Sequence, residues 1–151
     1  DILVSLSESY IGANKIEVAM DAFKASVEVD PNNQHFRYNY GVLLLNADRY
    51  EEAEEQFTKA LEIDSEYENA IYNLGVTYVK WGAQLNLDAE EQGIISEDYK
   101  QKYELALPYL ERVVVLDPTN GQMWEILGKV YGVLGMTEEA GNAFDKADQL
   151  R

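Results

Sequence analysis

A chain of 151 residues has the size of one ordinary domain or of a short repeat array. Its 28 acidic side chains against 12 basic ones give a formal net charge of −16, which argues against nucleic acid or an anionic membrane surface as its main partner. It has no cysteine and a single histidine, which excludes disulfides, thiolate metal sites, cysteine nucleophiles and a multi-histidine metal centre within one chain. Its apolar runs last only a few residues, too short to cross a membrane. The chain begins at Asp1 without an initiator Met or a charged-then-apolar leader, so the compartment stays open: cytoplasmic, or periplasmic if a leader was removed.

Markers recur along the chain. Tyr38-Asn39-Tyr40-Gly41 and Tyr72-Asn73-Leu74-Gly75 lie 34 residues apart, and Trp124-Glu125-Ile126-Leu127-Gly128 follows after 53, which is 19 more than one period. Ala19, Ala53, Ala106 and Ala140 show the same 34, 53 and 34 spacing. Phe23, Phe57, Leu110 and Phe144 keep this phase. The chain therefore reads as a single domain, 1–151, of four units: about 1–33, 34–67, 68–120 and 121–151, with the extra residues near 83–101.

Each unit reads as two helices. In the opening unit Ser7 stands where later units carry glycine, and Ala19 and Phe23 mark the second helix. In the second unit Tyr40, Leu43, Leu44 and Ala47 recur at helical spacing, as do Tyr50, Ala53, Phe57, Ala60 and Leu61. Asp48 followed by Glu51 predicts an N-cap between them, and Ser65 followed by Glu68 predicts another. Asp30-Pro31 and Asp117-Pro118 should end second helices, because proline cannot continue a helix and holds its predecessor extended. In the third unit the first helix extends from Asn69 to about Glu91, with Gly93 as its C-cap and Ser96 capping the helix that follows. Shared equally, the added length lengthens each helix by about nine residues, or roughly 14 Å. Pro108 predicts a bend or break between Glu104 and Pro108. No stretch alternates with period two, so no sheet is expected.

The stretch Tyr38-Asn39-Tyr40-Gly41, Tyr50-Glu51-Glu52-Ala53, Phe57 and Lys59-Ala60-Leu61-Glu62-Ile63-Asp64 resembles the tetratricopeptide repeat. The likeness covers all but the 19 extra residues; Ser7, Ser65 and Val113 depart from it, replacing glycine, proline and alanine. The resemblance implies an all-α fold, a right-handed superhelical α-solenoid of stacked antiparallel helix pairs, whose first helices line a concave groove. Gly41, Gly75 and Gly128 are expected to face the second-helix alanines where backbones approach. Tyr10, Tyr78, Tyr131, Phe57 and Phe144 are expected to fill the space between units.

No residues support catalysis: there is no Ser/His/Asp set, no glycine-rich phosphate loop and no HExxH spacing. The run Glu51, Glu52, Glu54, Glu55 reads as a solvated helix face and His35 as a capping or bystander residue, so neither a cofactor nor a metal is expected. The expected function is non-catalytic protein–protein interaction, with a peptide or partner protein lying in the groove. The groove residues are Tyr38, Asn39, Val42, Tyr72, Asn73, Val76, Lys80, Glu125 and Lys129. First helices at 34–47, 69–82 and 121–134 hold Arg37, Lys80 and Lys129 against Glu125, a net +2, leaving −18 elsewhere. That split suits an aromatic or acidic peptide; it also follows if first helices carry less charge simply because more of their surface packs.

Some family members clamp the acidic tails of heat-shock chaperones with Lys, Asn, Asn, Lys and Arg. Those places hold Tyr38, Val42, Asn73, Gln122 and Ile126 in one register, and Val4, Glu8, Asn39, Asn69 and Asn73 in the other, so that clamp is absent. Ile94 and Ile95, in the inserted hairpin, either close it or form a partner contact. The alternative function is a structural self-assembly unit, a homo-oligomer joined through its terminal repeats or this hairpin.

Overall fold

A computed structural model describes residues 15–151. The expected opening helix with Ser7 and Tyr10, and the positions of Val4 and Glu8, fall outside the described residues. Among the described residues there are seven helices and no strand. They are α1 (Ile16–Val29), α2 (Gln34–Asn46), α3 (Tyr50–Ile63), α4 (Glu68–Gln92), α5 (Asp98–Leu116), α6 (Gly121–Val133) and α7 (Thr137–Gln149). The chain divides into two compact units, Asp1–Asn73 and Leu74–Arg151, with α4 running from one into the other.

In the first unit α1 packs on α2 and α2 on α3. The apolar residues of α1, Ala19, Met20, Phe23 and Val27, recur at helical spacing and are buried, as are Leu43 and Leu44 of α2 and Ala53, Phe57 and Ala60 of α3. In the second unit α5 packs on α6 and α6 on α7, around Leu110, Met123, Leu127 and Val130.

The glycines meet partners other than those expected. A Cβ built on Gly41 would lie 2.7 Å from Phe57 Cε1, and one on Gly128 2.9 Å from Phe144 Cε1. On Gly75 it would lie 3.0 Å from Leu110 Cδ2. Each first-helix glycine therefore receives the large side chain four positions beyond the second-helix alanine. The small alanine is not what it faces.

Helix ends follow their residues in some places and not in others. The second helices end at Val29, Ile63 and Leu116, each followed by an aspartate whose backbone N–H bonds back four residues. Asp64 stops α3 without a following proline, because its carboxylate accepts the N–H of Glu66 (3.1 Å), as that of Asp117 accepts the N–H of Thr119 (3.1 Å). Gly93 (φ 65°) closes α4, with Ile94 N–H on Ala89 O and Gly93 N–H on Glu90 O. Ser96 Oγ accepts the N–H of Asp98 (3.2 Å), as expected of a cap for α5.

Asp48 and Ser65 are not N-caps. Asp48 is left-handed (φ 57°) and terminates α2, with Arg49 N–H on Leu44 O; α3 begins two residues later. The equivalent turn after α6 uses Gly135 (φ 78°). α4 begins three residues beyond Ser65. The side-chain caps are Asn33, which accepts the N–H groups of His35 and Phe36, and Asn120, which accepts that of Met123.

The α4–α5 hairpin does not lengthen evenly. α4 has 25 residues against 13 in α2, whereas α5 has 19 against 14 in α3. Gly82 lets the helices close, since a Cβ there would lie 3.1 Å from Tyr99 O, and the Lys102 ammonium sits 3.3 Å from the centroid of the Trp81 ring. No break occurs at Pro108: α5 is one helix from Asp98 to Leu116. Glu104 and Pro108 are exposed, so water solvates the carbonyl that proline leaves without its helical donor, while buried Ala106 and Leu110 hold the helix in place.

Two stability outcomes are expected. Gly41→Ala should cost about 1–3 kcal/mol in urea unfolding, because the fully buried Phe57 ring cannot move aside. Gly128→Ala should cost less, because Phe144 is 38% exposed and free to shift. Equal losses would show that the ring contact does not set the cost. Pro108→Ala should stabilise the fold by about 2 kcal/mol, as the regained helical hydrogen bond outweighs the extra freedom of the unfolded chain; an unchanged unfolding midpoint would contradict this.

Candidate functional site

The expected groove residues lie on α2, α4 and α6, and all are partly or fully exposed: Tyr38, Asn39, Val42, Tyr72, Asn73, Val76 and Glu125 are half-buried, and Lys80 and Lys129 are exposed. Their second-helix counterparts in phase with the alanines are buried, so the first helices keep an accessible side.

Within the first unit the structure joins two of these residues directly. Asn73 Nδ2 donates to Tyr38 Oη (3.1 Å) and to Asn69 O (3.0 Å). The Tyr38 ring lies 6.0 Å from that of buried Phe57 and 5.2 Å from that of Tyr67. His35 stands edge-on to Tyr67 at 5.4 Å, with its Nδ1 3.2 Å from the Tyr67 hydroxyl. Burial pushes the Tyr38 hydroxyl above its ordinary pKa, against the opposing effect of the Asn73 bond. Burial also raises Tyr67, and neighbouring Tyr38 adds to it. The result is a neutral aromatic and amide surface whose central ring is held from two sides.

Tyr67, His35 and Asn69 complete this cluster and are absent from the residues expected from sequence. One signal for Tyr67 was available. It falls in phase with Asn33 and Asn120, which cap α2 and α6, so a tyrosine stands where the other units place a capping asparagine.

The charges are distributed less simply than a residue count suggests. Arg37 donates to Gln56 Oε1 (3.0 Å) on α3 and to Pro31 O (3.1 Å), so its guanidinium serves the fold. Lys129 pairs with Glu125 at 2.8 Å, and Arg151 with the same carboxylate at 3.2 Å. Lys129, then Arg151, hold the Glu125 carboxyl below its ordinary pKa.

The glutamate run belongs to the exposed face of α3. Arg49 grips Glu52 with both arms (2.7 and 2.5 Å) and depresses its carboxyl pKa, and Lys59 pairs with Glu55. Tyr78 is buried as expected of a packing residue, whereas Tyr131 is half-buried and donates to Glu111 (2.7 Å). Burial and that carboxylate raise the Tyr131 phenol well above its ordinary value. Ile94 and Ile95 are exposed, Ile95 completely. Among the described residues no three or more His, Cys, Asp and Glu side chains group to hold a metal, and no helix is long and apolar enough to cross a membrane.

First-helix glycines seated against second-helix rings, repeated along a chain built only of helices, define an α-helical repeat protein of the α-solenoid class. The comparisons point to a particular family: the tetratricopeptide repeat profile matches residues 5–68. Among solved structures, MamA 41-end from Desulfovibrio magneticus RS-1 is 26% identical, with a TM-score of 0.80 over 99% of this chain and 73% of that one. A second MamA crystal structure is 20% identical, with a TM-score of 0.77 over 98% of this chain and 75% of that one. YrrB, described as a TPR protein with an unusual peptide-binding site, is 24% identical, with a TM-score of 0.77 over 98% of this chain and 66% of that one. Among curated proteins, none matches the chain. The fold is that of a protein–protein interaction module and is typically non-catalytic.

Tyr38→Phe, which keeps the ring and removes the bond from Asn73, should lower stability by about 1 kcal/mol. Urea unfolding checks this; no change would mean that water replaces the hydroxyl without loss.

Proposed function

We propose that the chain is a non-catalytic scaffold or adaptor whose four units, about 1–33, 34–67, 68–120 and 121–151, bind a peptide segment of a partner protein along the first helices. The observation that carries this reading is the pair of in-phase, half-buried triplets Tyr38, Asn39, Val42 and Tyr72, Asn73, Val76, with Tyr38 already held by Asn73 and Phe57. A ring fixed before binding loses little freedom on contact, which is how tyrosine contributes affinity at a recognition surface. The fold likeness to YrrB, described as having a peptide-binding site, supports the same class of ligand.

With Arg37 bonded to Gln56 and Lys129 paired at the surface with Glu125, the ligand is selected by aromatic and amide contacts with Tyr38, Tyr72 and Asn73, and Lys80 adds an exposed cation. Affinity should therefore depend only mildly on salt. A second reading, self-assembly through the α4–α5 hairpin, is favoured by one observation, the full exposure of Ile95 beside half-exposed Ile94.

Tyr72→Ala should weaken binding of a captured peptide partner by about 1–3 kcal/mol while leaving the unfolding midpoint unchanged. Glu51→Gln, on the exposed face of α3, should leave that binding untouched. Titration calorimetry with both variants tests the groove. A partner indifferent to Tyr72 and Lys80 but lost on replacing Ile94 and Ile95 would move the working surface to the hairpin. A molar mass that rises with concentration in light scattering would favour self-assembly.

A further inference from the structure

Residues of α1, α2 and α3 enclose a cavity of about 310 Å³ within the first compact unit. Val27 and Leu44, both buried, give it an apolar side. Most of the remaining lining is polar, and three of its groups keep hydrogen-bonding capacity that the fold does not use. Gln56 is only 7% exposed, and its Oε1 accepts from Arg37. Arg37 can only donate, so the accepting atom must be the amide oxygen, which fixes the nitrogen on the other side. That nitrogen, with two N–H groups to give, has no hydrogen-bond partner among the described residues. Tyr40 is 8% exposed, and its hydroxyl has no hydrogen-bond partner among them either.

Among the described residues no fully buried side-chain polar atom lacks a partner. Solvent therefore reaches both groups, and the cavity that both residues line is the route. Burial holds the Tyr40 hydroxyl above its ordinary pKa, so it keeps its proton and remains a donor. Arg37 adds a third source of donors: its Nε is given to Pro31 O and its Nη1 to Gln56, which leaves Nη2.

The charges around these donors largely cancel. Arg49 pairs with Glu52, and Lys59 with Glu55. The lining then retains Lys24 and Arg37 against Glu28, a surplus of one positive charge in a chain whose net charge is −16. None of these three forms an ion pair among the described residues. The helix pairing itself does not require the donors. In α6 and α7 the positions in phase with Arg37, Tyr40 and Gln56 are Trp124, Leu127 and Ala143, and Trp124 and Ala143 line a cavity of about 290 Å³ there.

We propose that the cavity between α1, α2 and α3 binds a small organic monocarboxylate, its carboxylate on Arg37, Gln56 and Tyr40 and its apolar part against Val27 and Leu44. Arg37 and Gln56 offer N–H donors from two planar groups hydrogen-bonded to each other, which suits a planar acceptor with two oxygens. One surplus cation offsets one carboxylate, whereas a doubly charged phosphate leaves an anion uncompensated. None of Tyr38, Tyr72 and Asn73 lines the cavity, so the site is separate from the first-helix surface of the preceding section.

The test titrates benzoate into the full chain, with benzamide and inorganic phosphate as controls. NMR of the Gln56 side-chain amide and the Arg37 Nε–H reports occupancy, and benzoate should saturate both with a Kd of about 1–10 mM. Gln56→Glu keeps an oxygen for Arg37 but exchanges the amide donors for an anion, and should weaken benzoate by about tenfold or more. Tyr40→Phe removes only the hydroxyl and should weaken it about fivefold. Circular dichroism verifies that each variant stays folded, and Tyr40→Phe carries the test alone if Gln56→Glu does not.

The absence of a saturable shift at both reporters overturns the proposal, as does full benzoate binding in the folded variants. Benzamide bound as tightly as benzoate makes the cavity merely apolar and overturns it too. Phosphate bound more tightly than benzoate, and lost on Gln56→Glu, makes it an inorganic anion site and overturns the carboxylate assignment. Shifts confined to the surroundings of Lys80 place the anion on the first helices and likewise overturn it.

Discussion

The contact on which the fold depends is a backbone pressed against a side chain. Gly41 has Phe57 against it and Gly128 has Phe144, each so close that a single added methyl would collide, and Gly75 has Leu110 at a tighter than ordinary distance. A glycine in a helix interior is a liability by itself, since it frees the unfolded chain and packs nothing. It persists here because it lets the partner helix approach until the ring fills the gap. That approach brings Ala53, Ala60 and Ala106 into full burial, and Ala140 nearly so. The alanines are small because the helices are close, and the helices are close because of the glycines. A substitution at either end of this chain of causes should therefore be felt at the other.

The large negative charge does not oppose this packing, because almost none of it is buried. The acids sit on outward faces, many answered within a turn: Arg49 with Glu52, Lys59 with Glu55, Lys100 with Glu97, Lys129 with Glu125. Exposed pairs of this kind add little stability, but they thin out repulsion along each helix. The buried polar side chains have other support, as where Gln56 receives the Arg37 guanidinium. Among the described residues no buried side-chain polar atom lacks a partner, so the cost of burying polar groups is met throughout.

The tyrosines show how one residue type serves several purposes at repeating positions. Tyr40 and Tyr78 are buried. Tyr38 is held between Phe57, Tyr67 and the Asn73 amide. Tyr131 carries a hydrogen bond to Glu111 on the neighbouring helix α5. A tyrosine whose polar end has a fixed partner presents an aromatic face with little left to immobilise, and that property makes the first-helix surface suited to recognition.

Much of the architecture was determined locally and could be read from residue order: the 34-residue period, two helices per repeat, the stops at Asp30 and Asp117, and the glycine cap at Gly93. These depend on a helix's own periodicity and on the backbone limits of proline and glycine, which act within a few residues. What tertiary structure alone decided was which groups meet. Gly41 and Ala53 are both marked by the repeat, yet it is the Phe57 ring, one turn beyond Ala53, that seats on the glycine. Asp48 resembles an N-cap by its neighbours, but a three-residue turn forces it into the left-handed conformation that Gly135 occupies elsewhere. Arg37 and Lys129 counted as groove cations until long side chains, with several carbons of reach, found Gln56 and Glu125. Pro108 stays inside a continuous helix because the Glu104 carbonyl it leaves without a donor lies on the exposed side of the helix. Spacing along a chain specifies elements, whereas distance and exposure between elements specify contacts.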